Sequence, residues 1–76
     1  MTTKEIFSQR MRELRRGCGE PQKVLAELLG VSINHISEME KGTRMTTLEK
    51  LPVICRHYNV SADYLLGLSD HPELRA

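Results

Sequence analysis

QKVLAELLGVSINHISEMEKG, residues 22–42, decides how the rest of the chain is read. It divides into two short helices around a tight turn. Val24, Leu25, Leu28 and Leu29 recur at three- and four-residue spacing, which puts an apolar stripe on one face of a helix. Gly30 stops that helix, because glycine takes the left-handed conformation beyond a helix end without a Cβ penalty. Val31 follows as an anchor. Ser32 fits an N-cap, its hydroxyl accepting from a free N–H of the next helix. The second helix runs from about Ile33 to about Lys41, and Gly42 ends it. Ala26 lies where the two helices would cross, and its small side chain lets them approach. Two helices at a steep angle across a turn of three or four residues form a helix-turn-helix unit.

Around this unit the chain is helical throughout. Alternating strand patterns are absent, and the apolar spacing predicts helices near residues 3–16, 22–29, 33–41, 47–58 and 62–67. Thr2 or Thr3 caps the first, with Ile6, Phe7, Met11 and Leu14 facing inward. Gly17-Cys18-Gly19 ends it, and Glu20-Pro21 carries the chain into the second helix. Thr46-x-x-Glu49 fits a capping box for the fourth helix, and Leu48, Leu51, Ile54, Cys55 and Tyr58 give its core stripe. Pro52 removes one hydrogen bond beyond the first turn, so a bend or an irregular start is expected there. Asn59-Val60-Ser61 ends the fourth helix and caps a short closing one with Leu65 inward. Residues 69–76 show no periodicity and read as a flexible tail after a domain spanning 1–68.

Seventy-six residues allow one domain. No apolar run is long enough to cross a bilayer, and MTTKEIFSQR lacks the apolar stretch of a signal peptide, which predicts a cytoplasmic protein. Cys18 and Cys55 are the only cysteines; they make no disulfide framework and are expected as free thiols. Cys55 and His57 form a C-x-H without a second ligand pair at zinc-finger spacing, so no metal site and no cofactor are expected. His35, His57 and His71 share no ligand spacing, and no nucleophile, base and orienting group form a recognisable motif, which argues against an enzyme. Net charge is only +1, so composition does not announce a nucleic-acid binder. Arg10, Arg12, Arg15 and Arg16 do crowd the end of the first helix, although Glu5, Glu13, Glu20, Glu27 and Glu38 dilute the basic residues into what also reads as a mixed-charge surface.

Gln22, Ala26, Gly30, Val31, Ser32, Ile36, Ser37, Glu40 and Gly42 match Q-x-x-x-A-x-x-x-G-V-S-x-x-x-I-S-x-x-E-x-G. This line resembles the Xre/Cro/phage-repressor-like helix-turn-helix family, and the resemblance extends from about Ile6 to Leu68 through MRELRRGCGEPQ and TLEKLPVICRHYNVSADYLLG. It implies an all-α, five-helix, lambda-repressor-like domain. It also implies a sequence-specific transcriptional regulator bound to a double-stranded DNA operator, with the third helix in the major groove. Relatives usually carry an apolar residue at position 20, Ser or Thr at 21 and a proline near 46, where this chain has Glu20, Pro21 and Thr46. Glu20 cannot be buried without a partner.

On the third helix, Ile36 and Met39 face the core, and Ile33, Asn34, Ser37 and Glu38 face away, towards solvent or base edges. Asparagine can bond adenine bidentately, glutamate can accept from cytosine N4, and Ile33 can meet a thymine methyl or fold against Lys23 or Arg44. Gln22, Lys23, Ser32, His35, Lys41, Thr43 and Arg44 are candidate phosphate contacts. For Gln22, relatives imply a contact with the backbone or the recognition helix as well, and His35 also reads as simply exposed. The resemblance further implies an ion pair between Arg15 and Glu40, through two parallel hydrogen bonds; a solvent- or phosphate-facing Arg15 is the alternative. Tyr64, Leu66 and Leu68 leave apolar side chains near the closing helix, where a homodimer could form. A second reading keeps the fold as a protein-interaction module or antitoxin-type adaptor with little DNA binding, since fold does not imply function.

Overall fold

A computed structural model describes residues 1–73. Among them are five helices: α1 (Thr3–Gly17), α2 (Gln22–Leu29), α3 (Ile33–Lys41), α4 (Leu51–Tyr58) and α5 (Ala62–Leu66). α1 packs against α3 and α5, α2 against α3, and α4 against α5, so α1 and α3 form the centre. The only bridge of β type is the isolated antiparallel pair Val60 and Glu73 among the described residues.

The helix ends follow from local chemistry. At α1 the Thr2 hydroxyl accepts from the Glu5 N–H at 3.1 Å while the Glu5 carboxylate accepts from the Thr2 N–H at 3.0 Å. This reciprocal capping satisfies two N–H groups the helix cannot. Gly30 ends α2 in the left-handed region at φ 67°. Ser32 and Ser61 cap α3 and α5, accepting from the His35 N–H at 3.0 Å and the Tyr64 N–H at 3.1 Å.

Phe7 and Met11 of α1, Leu25 of α2, Ile36 and Met39 of α3, Ile54 of α4 and Leu65 of α5 have almost no solvent exposure and define the core. Burial of one such side chain stabilises by about 1.5–3 kcal/mol. The predicted stripe of α2 is only half correct. Leu25, Ala26 and Leu29 are buried, whereas Val24 and Leu28 lie exposed. Ala26 draws α3 onto its own side of α2, and Val24 and Leu28 stand roughly 100° and 60° from Leu25 in the opposite direction around the axis.

The start of α4 also differs from expectation. The helix begins at Leu51, not at residue 47. Thr46 and Glu49 form no capping box; the carbonyl of Thr47 instead accepts from the N–H groups of Lys50 and Leu51, both at 3.2 Å. That turn leaves Pro52 in the first helical turn, where its missing N–H costs nothing. Leu48, expected in the core, points out at 85% exposure because it lies on this turn.

Beyond α5 the chain folds back. The Ser61 N–H donates to the Pro72 carbonyl at 2.9 Å, and Arg10 of α1 donates to the carbonyls of Tyr64 and Ser69 while pairing with Asp70 at 3.0 Å. The Arg10 guanidinium also stacks 4.3 Å above the Tyr64 ring. Residues 74–76 of the expected tail lie outside the described residues.

Candidate nucleic-acid interface

α3 is held firmly on its inner side. Ile36 and Met39 enter the core, and next to them the Arg15 guanidinium grips Glu40 with two parallel hydrogen bonds, Nε to Oε2 at 2.5 Å and Nη2 to Oε1 at 3.0 Å. Both residues are buried. Arg15 donates a third bond, from Nη1 to the Glu20 carbonyl at 2.6 Å, and Gln22 Nε2 donates to Glu40 Oε1 at 3.1 Å. Burial works to raise the pKa of Glu40. The hydrogen bonds from Arg15 and Gln22, together with the Arg15 charge, outweigh it and hold the carboxyl below the ordinary value. The Arg15 pKa rises, chiefly through its hydrogen bond to Glu40. One carboxylate thus ties the first turn of α2 and the last third of α1 to the end of α3.

Glu20 has the partner its position demands. His57 lies 2.6 Å from Glu20 Oε2, and the Tyr58 hydroxyl donates to Oε1 at 3.0 Å. Burial pushes the Tyr58 phenol up, and the Glu20 bond adds to it. Cys18, two residues before Glu20, is exposed. The α1–α2 loop is therefore fastened to α4, and Pro21, which supplies no side-chain cap, leaves the first N–H groups of α2 open.

The outer side of α3 carries Ile33, Asn34, Ser37 and Glu38, none of them buried, and Ile33 is 49% exposed. Glu38 is the hub of this face. Its Oε1 accepts from Asn34 Nδ2 at 3.3 Å and its Oε2 from Arg44 Nε at 2.7 Å. Its carbonyl accepts from the Gly42 N–H at the C-cap, from the Thr43 N–H at 3.1 Å and from the Thr43 hydroxyl at 3.0 Å. Gly42 turns at φ 82°, with Ser8 Oγ of α1 only 3.3 Å from where a Cβ would stand, so both conformation and space call for glycine.

Of the predicted phosphate contacts, Lys23, Ser32, Lys41, Thr43 and Arg44 are exposed, and Gln22 and His35 are half-buried. The Gln22 carboxamide is directed at Glu40, leaving its backbone N–H for a ligand at the start of α2. Thr43 already donates both its protons to the Glu38 carbonyl. The arginines of α1 do not make one basic patch: Arg10 and Arg15 are drawn into internal contacts. Four residues hold Glu38, and the i, i+4 spacing of Asn34 and Glu38 is the one local signal of this in the sequence.

The family profile described as Helix-turn-helix matches residues 11–65. The HTH-type transcriptional regulator YobD of Bacillus subtilis (strain 168), itself uncharacterised, is 35% identical over 68 residues, covering 90% of this chain and 61% of its own. The HTH-type transcriptional regulator ImmR of the same organism is 39% identical over 61 residues, covering 80% of this chain and 48% of its own. The chain thus spans about half to three-fifths of these relatives' length. The crystal structure of the restriction-modification controller protein C.AhdI from Aeromonas hydrophila superposes with a TM-score of 0.70 at 29% identity, over 82% of this chain and 94% of that one. Five helices in this order, the α2–α3 pair closed by Ala26 and Gly30, and a profile match across most of the sequence place the chain in the Xre/Cro-type helix-turn-helix family.

Proposed function

We propose that the chain is a sequence-specific, DNA-binding transcriptional regulator of the cytoplasm whose third helix enters the major groove of a double-stranded operator. One observation carries this reading. α3 is fastened from inside by Ile36, Met39 and the Arg15–Glu40 pair, while Ile33, Asn34, Ser37 and Glu38 remain uncovered on the opposite side. Asn34 and Glu38 supply a base-edge donor and acceptor, Ser37 either, and Ile33 an apolar surface for a thymine methyl. Lys23, Ser32, His35 and Lys41, with the Gln22 N–H at the start of α2, stand as phosphate contacts around them. A homodimer fits the same reading. The longest dimension is 30 Å, less than the roughly 34 Å of one DNA turn, so two successive major grooves require two copies. Leu66 and exposed Leu68 beside α5 offer the apolar contact, with Tyr64 held under Arg10.

The test is selection from a randomised duplex pool, followed by titration on the selected and a scrambled duplex at two salt concentrations. Asn34→Ala is expected to lose about 1–3 kcal/mol on the selected duplex and to relax preference at one base pair. Lys41→Ala is expected to weaken both duplexes alike and to lower the salt slope by about one. If the unaltered protein selects no sequence and binds no duplex above background, the regulator reading falls and the protein-interaction module replaces it.

A further inference from the structure

Arg44 stands among the candidate phosphate contacts, yet its geometry serves a different end. Three consecutive residues after α3 turn back onto one side chain position: Gly42 and Thr43 bond the Glu38 carbonyl, and Arg44 Nε bonds the Glu38 carboxylate at 2.7 Å. The arginine is half exposed, at 51%, and the glutamate at 34%. A surface ion pair of this openness contributes little to folding, so stability does not explain it. The carboxylate is the one negative side chain on the outer face of α3. Facing a polyanion unpaired, it would repel the duplex, and swinging freely it would read nothing. Arg44 removes both difficulties, cancelling the charge and fixing the direction, while Asn34 Nδ2 at 3.3 Å holds the second oxygen from the other side.

We infer that Arg44 is a positioning residue for base recognition: it holds the Glu38 carboxylate so that Glu38 selects, on the strand it faces, a base whose major-groove edge carries an exocyclic amino group, cytosine or adenine. The inference rests on the DNA-reading function proposed above and adds its specificity. A carboxylate only accepts hydrogen bonds. Opposite cytosine N4 or adenine N6 it meets a donor, and opposite guanine O6 and N7 or thymine O4 it meets acceptors and is repelled. Selection at this position therefore works as much by rejecting guanine and thymine as by attracting an amino group.

The two roles of Arg44 separate by base preference. Duplexes are selected from a randomised pool with the unaltered protein and with Glu38→Gln, Arg44→Ala, Lys41→Ala and the double variant Glu38→Gln/Arg44→Ala, and each is then titrated at two salt concentrations. The unaltered protein is expected to enrich cytosine or adenine at one position by roughly 5- to 150-fold over the disfavoured bases. Glu38→Gln and Arg44→Ala are expected to relax that same position, the double variant no further than Glu38→Gln alone, because the two residues act as one unit. Lys41→Ala is expected to keep the preference and lose affinity uniformly. Arg44→Ala with an unchanged base preference, a uniform loss and a salt slope lower by about one would make it a plain phosphate contact and overturn the inference. So would Glu38→Gln that still rejects guanine and thymine, since a carboxamide, unlike a carboxylate, can donate to guanine O6 or thymine O4. A protein that selects no duplex at all would instead overturn the DNA-reading function itself. Helical circular dichroism of each variant verifies that an altered preference is not a loss of fold.

Discussion

Removing Arg15 strands a carboxylate. Glu40 is only 6% exposed, and without the guanidinium it keeps a single bond from Gln22. Arg15→Ala is therefore expected to cost about 3–5 kcal/mol, read as a shift of the urea midpoint at unchanged slope. A loss under about 1 kcal/mol would show that the pair is not held as described. The same carboxylate sets an acid dependence. Its pKa in the folded chain lies below the ordinary carboxyl value, so the unfolded chain binds the proton first. The stabilisation it provides is present above the unfolded pKa, about 4.3, and is lost as the pH falls from there through the folded value. Thermal unfolding between pH 6 and pH 2 is expected to show this loss, and Arg15→Met, which no longer depresses the Glu40 pKa, is expected to flatten it.

At the scale of the helices, α2 and α3 match their predicted limits, and α4 does not. The difference is physical. Each end of the helix-turn-helix unit carries a residue with one clear use: Gly30 and Gly42 in left-handed turns, Ser32 with its hydroxyl on the His35 N–H. The stretch before α4 offers Thr46, Thr47 and Pro52 in competition, and the turn closed by the Thr47 carbonyl wins because it brings Pro52 into the first helical turn. Thr46 is left with a buried hydroxyl that has no partner. Thr46→Val, of equal shape, is expected to be neutral or to stabilise by about 1 kcal/mol, since the apolar replacement removes an unmet hydrogen-bonding group. Denaturation of the variant checks this, and a loss above about 1 kcal/mol would mean the hydroxyl does have a partner. Other contacts had no local signal. Glu20 meets His57 and Tyr58 across 37 and 38 residues, a distance over which no periodicity operates. The Arg15–Glu40 pair spans 25 residues and was legible only through the family resemblance.

Across the molecule as a whole, Arg10 joins the two ends of the described chain. Its guanidinium holds the carbonyls of Tyr64 and Ser69 and the carboxylate of Asp70, and the segment beyond closes onto the start of α5 through the bond from Ser61 to Pro72. Arg10→Ala is expected to raise amide exchange at Ser61 by about tenfold or more while leaving α2 and α3 protected, because the segment opens as a local unit. Equal acceleration at Ile36 would show that Arg10 instead supports the entire fold.

The two sides of α3 answer to different demands. Ile36, Met39, Glu40 and the Gly42–Ser8 approach hold it in place, and every one of them faces inward. Ile33, Asn34, Ser37 and Glu38 face outward and take no part in the core. Mutational drift at the outer four positions is thus nearly invisible to selection for folding. A lineage built on this scaffold can change what it recognises through a series of viable intermediates, none of which has to pass through an unfolded protein.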